Sequence, residues 1–197
     1  MNKNCLLCGV GGQGTVLASR ILAQAAMKKG YFARTAETIG MAQRGGCVVS
    51  HVRVGQTASP LIAPGEADVL VGFEPGEAVR CLPWLKPGGR LIVNCRAVQP
   101  VTAQLGGQTY SGEAMIDFLR AHVPDVIVLD GEEVARRCGS SKALNVALLG
   151  AVASSGAMGL TLNEVRDTLS ERIPAAYLEM NLKALEMGAA CAKGEIR

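Results

Sequence analysis

The chain has 197 residues, 49% of them hydrophobic and only 4% aromatic, with a formal net charge of +3. That length suits one α/β domain with a helical appendage, and the composition favours an Ala/Val/Leu core with tight, glycine-rich loop ends. The small charge, without runs of like sign or interleaved basic and aromatic residues, argues against nucleic acid, and no apolar run reaches the ~18 residues of a membrane span. The seven cysteines are odd in number, scattered and preceded by no secretory leader, which points to reduced thiols and a cytoplasmic protein.

The first strand is expected over about residues 4–9, around the apolar run Cys5-Leu6-Leu7-Cys8. Cys5 and Cys8 have C-x-x-C spacing, but residues three apart on a strand face opposite ways, so no metal site is assigned. Gly9, Gly11 and Gly14 then satisfy G-x-G-x-x-G, and a helix opens behind them to about residue 29, with Leu17, Ile21, Leu22 and Ala25 on one stripe. In a strand–turn–helix setting the first glycine allows a tight turn. The second lets a phosphate approach the backbone, and the third lets helix and strand pack closely. Free N–H groups at the helix start favour an anion. Gly11, Gly12, Gln13, Gly14 and Thr15 are therefore candidates for holding a phosphate or pyrophosphate; the alternative is a turn kept for packing.

A second strand is expected near residues 31–36. No acid stands at its end to hold a ribose, Glu37 being the only one near. The chain runs instead into a basic, glycine-rich loop ending in Gln43-Arg44-Gly45-Gly46. Arg44 between flexible residues can grip an anion bidentately, and a standard strand order would bring this loop near the first glycine turn. A solvated surface arginine is the plainer reading. Residues 47–54 alternate, Val48, Ser50, Val52 and Val54 on one face and Val49, His51 and Arg53 on a polar outer face.

Residues 67–72 form a buried strand, and Glu74 at its carboxyl end is better placed to cap the next helix than to catalyse. That helix breaks near Pro83, and Lys86-Pro87-Gly88-Gly89 turns into a strand over 90–94. A helix at 114–122 and a strand at 126–129 follow. The remainder is helical over about 131–138, 142–157, 161–171 and 174–188, with Thr161 and Glu164 as a capping box. Asn145 and Asn181 lie inside apolar helices and need partners. The helices at 142–158 and 174–188 carry more apolar residues than one sheet face needs, so they are expected to offer a face to a partner protein. Strands alternating with helices predict an α/β fold, a doubly wound, mainly parallel, Rossmann-like sheet with a helical C-terminal part. No signature of a catalytic dyad, zinc protease or P-loop is present, so no catalytic or metal-binding residue is assigned.

The pairing of Gly9-Val10-Gly11-Gly12-Gln13-Gly14 with Gln43-Arg44-Gly45-Gly46 is more specific than either motif alone. With Val49-Ser50-His51-Val52-Arg53, Phe73-Glu74-Pro75-Gly76-Glu77-Ala78, Lys86-Pro87-Gly88-Gly89, Asn145 and Asn181-Leu182-Lys183-Ala184, it resembles the gamma-type domain of 2-oxoacid:ferredoxin oxidoreductases. The resemblance runs over nearly the whole chain, 1–197, with the helical part at about 131–190, and leans toward the small (beta) subunits of the indolepyruvate type. It implies a subunit, inactive by itself, of an enzyme that oxidatively decarboxylates 2-oxoacids using coenzyme A and ferredoxin. Thiamine diphosphate and iron–sulfur clusters would sit on a large partner subunit. It also implies that Gly11 to Thr15 and Arg44, Gly45 and Gly46 lie on the coenzyme A side of the reaction. A homodimer in isolation is compatible with this. The rival readings are an NAD-dependent dehydrogenase, an S-adenosylmethionine-binding enzyme (from Leu85 to Leu91) and a non-catalytic assembly subunit.

Overall fold

The computed structural model describes residues 1–40, 46–99 and 110–195. Six strands form one sheet: β1 (Lys3–Val10), β2 (Ala33–Ile39), β3 (Cys47–Val54), β4 (Ala67–Gly72), β5 (Leu85–Asn94) and β6 (Val126–Leu129), in the order β2-β3-β1-β4-β5-β6. The helices are α1 (Thr15–Lys28), α2 (Pro75–Cys81), α3 (Gly112–His122), α4 (Gly131–Cys138), α5 (Leu144–Ser154), α6 (Leu162–Arg172) and α7 (Ala175–Ala192).

From β1 through β4 and β5 to β6 every pairing is parallel. These strands are nearly unbroken apolar runs, as burial on both faces requires. β3 departs from the standard order. It inserts between β1 and β2 and runs antiparallel to both, so the sheet is mixed, with one reversed strand. Its alternation is weaker in burial than in sequence. His51 is buried rather than part of a polar outer face, because Ile62 in the connection to β4 covers it and donates its N–H to His51 Nδ1 at 3.1 Å. The expected turn at Lys86–Gly89 is a bulge within β5: Leu85 pairs with Ala67 and Arg90 already with Val69.

Alternation of side chains along the strands divides the core in two. Cys5, Leu7, Val69, Val71 and Ile92 face α1 and the C-terminal helices, whereas Leu6, Cys8, Leu70, Leu91 and Val93 face α2 and α3. Cys5 and Cys8 thus lie in different cores, as residues three apart on a strand must.

The first of the C-terminal helices corrects part of one expectation. The apolar surplus of α5 is consumed inside the molecule: α5 is buried from Asn145 to Ala153 because the sheet and α1 cover one side and α7 the other, whereas α7 leaves Tyr177 exposed and Leu178, Met180 and Leu182 half-buried. Two glycines allow this approach. A Cβ on Gly188 would run into the carbonyl of Ala147, and one on Gly150 into the carbonyl of Leu185. The helix backbones themselves are in contact, which excludes any larger residue at either place.

Gly188→Ala should therefore destabilise the chain by about 1–3 kcal/mol, the usual cost of overpacking, although alanine is the better helix former. Urea denaturation monitored by far-ultraviolet circular dichroism reads this directly; an unchanged midpoint would contradict the close crossing of α5 and α7.

Candidate phosphate-binding site at the glycine turn

β1 is followed by α1 on one face of the sheet and β4 by α2 on the other, so a crevice opens between the carboxyl ends of β1 and β4. Open α/β sheets bind ligands in such crevices. Gln13 spans it. Its Oε1 accepts the N–H of Val10 at 2.8 Å and its Nε2 donates to the carbonyl of Phe73 at 3.2 Å. Gly9 makes the room, since a Cβ there would lie 2.5 Å from Gln13 Oε1 and 2.7 Å from Phe73 Cβ. The first glycine of the motif is thus required by a side chain that folds back from four residues on.

Beyond this brace the turn rises to the start of α1. The Gly11 N–H donates to the carbonyl of Gly46 at 2.9 Å, and the Gln13 N–H to Val10 at 3.3 Å. Gly14 is the N-cap in the left-handed region, φ +85°, and no side chain caps α1. Among the described residues the N–H groups of Gly12, Thr15 and Val16 therefore have no acceptor in the first turn. Gly12, at φ +95°, is exposed with nothing within 4 Å of where its Cβ would be. Thr15 is buried beneath the turn. The side-chain amide of Asn145 abuts Gly14 from the start of α5; a Cβ on Gly14 would lie 2.5 Å from Asn145 Nδ2. Asn145 uses its oxygen on the N–H of Val146, at 2.8 Å. This buried asparagine, noticed in the sequence without a partner, thereby adds an amide edge to the cradle. What results is a set of backbone donors at a helix start, bordered by the Asn145 amide, which is the chemistry of an anion seat.

Of the other predicted site residues, Gly46 is brought against the turn by its bond to Gly11. Arg44 and Gly45 lie outside the described residues. The reversed β3 is what delivers Gly46 there, because Cys47 pairs with Val10 at the top of β1. The same insertion removes Glu37 from the position of a ribose acid. Glu37 pairs with Ser50, which pairs with Leu7, so it stands two strand spacings, about 9–10 Å, from β1. Glu74 caps α2, Oε2 accepting the N–H of Glu77 at 2.9 Å. Its other oxygen accepts the Tyr110 hydroxyl at 2.8 Å and the Val98 N–H at 3.3 Å. Burial, and then this bond to Glu74, pushes the Tyr110 hydroxyl well above the usual phenol range.

A cleft of about 870 Å³ lies elsewhere, over the ends of β5 and β6, lined among others by Cys95, Arg96, Ile116, Arg120 and Glu132. Arg96 is already paired with Glu132 there, and the acids Glu113 and Asp117 share its wall, so size alone does not make it an anion site. No cluster of three metal-ligating side chains occurs among the described residues, and no helix is long and apolar enough to cross a membrane.

The family model for pyruvate ferredoxin/flavodoxin oxidoreductase matches residues 4–191. The chain belongs to this family. Indolepyruvate oxidoreductase subunit IorB of Archaeoglobus fulgidus is 39% identical over 189 residues, 95% of this chain and 94% of the relative. Among solved structures, the gamma subunit of a keto/oxoacid ferredoxin oxidoreductase from Geobacter sulfurreducens superposes with a TM-score of 0.70 at 23% identity, over 98% of this chain and 99% of that one. A 2-oxoglutarate:ferredoxin oxidoreductase from Magnetococcus marinus, solved with 2-oxoglutarate, coenzyme A and succinyl-CoA, gives 0.72 at 20% identity. The match covers 98% of this chain and 31% of that longer one. At these identities the likeness establishes the fold.

His51 matches the family resemblance as part of the Ser50-His51-Val52 stretch, yet its surroundings are structural. Burial, and then the nearby Arg53 guanidinium, hold its pKa below the usual 6.5. A histidine that is harder to protonate folded than unfolded adds stability that is fully present above pH ~6.5 and is lost as the pH falls through its lowered value. Stability measured from pH 8 down to pH 5 should fall on the acid side, and His51→Gln should flatten that slope. A slope unaltered by the substitution would assign the pH dependence to other groups.

Proposed function

We propose that this chain is the small subunit of an oxidoreductase acting on indolepyruvate or another aryl 2-oxoacid. A large subunit would carry thiamine diphosphate and iron–sulfur clusters and pass electrons to ferredoxin. The observation that carries the reading is the 39% identity to subunit IorB over nearly the full length of both chains. It agrees with the chemistry of this chain, whose one concentrated feature is a backbone anion seat. Within that enzyme the seat at the glycine turn serves coenzyme A, through its phosphates.

The residues fit such a group. The N–H groups of Gly12, Thr15 and Val16 form a donor set at the positive end of α1, where the helix dipole favours an anion by about 0.3–1 kcal/mol when exposed. Gly14 and Asn145 shape its floor. Gly46 meets the turn through its carbonyl on the Gly11 N–H, and Arg44, two residues earlier in the sequence with Gly45 between, would supply a guanidinium for charge-assisted hydrogen bonds of about 1.5–3 kcal/mol. Gln13 acts indirectly, by keeping the two strand ends at fixed separation. Coenzyme A brings the thiol that accepts the acyl group; this chain's part is to bind and orient its phosphates.

Arg44→Ala should raise the coenzyme A Michaelis constant of the reconstituted two-subunit complex roughly tenfold to a hundredfold, from that hydrogen-bond range. Single-turnover decarboxylation, which precedes coenzyme A in the reaction, should be spared. Gly12→Val should do similar harm, because its side chain projects into the open space above the turn and its backbone must hold a left-handed φ. Unchanged Michaelis constants in both variants, with the complex intact, would make the turn a packing device. The isolated chain should be colourless and without 2-oxoacid oxidation; activity from this polypeptide alone would overturn the subunit assignment.

A further inference from the structure

β2 is an edge strand. β3 pairs with one side of it, and no strand of the described residues covers the other. Proteins usually blunt such edges with proline, inward-pointing charges or a bulge. Ala33-Arg34-Thr35-Ala36-Glu37-Thr38 has no proline and a regular register with β3, and its one inward-facing charge is Glu37. Thr35 and Glu37 share the face that packs on α1, since their partners are Val52 and Ser50, and Val52 lies in that core. Among the described residues, Glu37 Oε1 and Ser50 Oγ are both buried without a hydrogen-bond partner, a costly state for a carboxylate oxygen.

Beside Thr35 runs a groove of about 480 Å³ whose walls carry Arg20, Lys28 and Arg172 and no acid. Lys28 is paired with Glu171 and Arg172 bonds to Gln24, while Arg20 makes no ion pair among the described residues. Met27 in the groove and Phe32 at the foot of the strand are 60% and 50% exposed, an apolar margin to a basic slot. The strand therefore carries an acid with an unsatisfied oxygen at one position and, two residues before it, a basic groove in which Arg20 has no ion-pair partner among the described residues.

We propose that a second copy of this chain pairs with β2 edge to edge, antiparallel, about a two-fold axis through Ala36. That register sets Thr35 of each copy opposite Glu37 of the other. Each carboxylate then enters the other copy's groove beside Arg20 and Arg172, and the Thr35 hydroxyl donates to the oxygen left unpaired in the monomer. A two-fold through Glu37 would put the two carboxylates opposite each other, and one through Thr35 would leave each facing Ala33, so charge selects the register. The contact is isologous and closed, joins the two sheets into one and removes both free edges.

Light scattering on the full chain should return twice the 20.5 kDa of one copy. Glu37→Arg places a cation beside Arg20 of the other copy and should weaken the dimer roughly tenfold or more, since juxtaposed like charges cost several kcal/mol. Arg20→Glu should do the same, and the two substitutions together should restore the dimer. A cysteine variant carries the test independently of folding in the charge variants. In Ala36→Cys the two residues at the axis have Cα atoms about 4.5–5.5 Å apart, within disulfide reach. With diamide as oxidant, which takes up the two thiol hydrogens, a cross-linked dimer should appear beyond that of the unsubstituted chain. Thr38→Cys, whose mate faces Arg34, should give none. A monomer at every concentration overturns the proposal, as does a dimer indifferent to Glu37→Arg and cross-linked equally at positions 36 and 38.

Discussion

The side chain of Gln13 holds together the strand ends beneath the glycine turn, the site proposed for the ligand. By accepting from Val10 and donating to Phe73 it ties the end of β1 to the end of β4, where an open α/β sheet would otherwise part. Past the bond from the Phe73 N–H to the Cys8 carbonyl, β1 turns away toward α1 and β4 toward α2. The Val10 N–H would be left without a partner in a half-buried place, at a cost of about 1–3 kcal/mol, while the Phe73 carbonyl also accepts from Asn94 Nδ2 at 3.0 Å. The Gln13 amide bridges the two, and only a glycine at position 9 leaves space for it. The turn above, with its unpaired N–H groups, inherits its position from that brace.

The reversed strand β3 is the second determinant. Because it lies between β1 and β2, Gly46 at its start arrives at the glycine turn. A dinucleotide fold uses the end of β2 to choose its cofactor; here Gly46 closes on Gly11. The same change of order exiles β2 to the sheet's edge. Glu37, with no ribose to meet, is left with a buried oxygen that has no partner among the described residues, and the unpaired edge becomes a surface with both charge and strand geometry to offer another copy.

On the opposite side, α5 and α7 are built from small residues so that helix backbones can touch at Gly150 and Gly188. This third layer gives α5 its burial on all sides and fixes Asn145 against Gly14. Packing far from the turn therefore sets the floor of the anion seat: a displaced α5 would move the amide that borders it.

Much of this was legible in the residues. The G-x-G-x-x-G spacing between an apolar strand and an amphipathic helix dictates the turn, because only glycine tolerates φ +85° at Gly14. Buried parallel strands were visible as apolar runs, and the Thr161–Glu164 capping box formed as read. What a local pattern cannot carry is who neighbours whom. The place of β3 depends on non-local pairing, so the sequence left the standard order standing and with it a polar face for His51. The surplus of apolar residues in α5 looked like part of a docking surface, because composition does not say whether a helix is covered by sheet, by helix or by another protein. Gln13 was singled out for a ligand by its motif, yet the two groups that engage it are brought together only by the parallel pairing of β1 and β4. Residue types and their spacing thus decided the elements and the chemistry available at each loop. Tertiary structure alone decided which donors and acceptors satisfy each other and which remain open, since that balance is struck between segments distant in the chain.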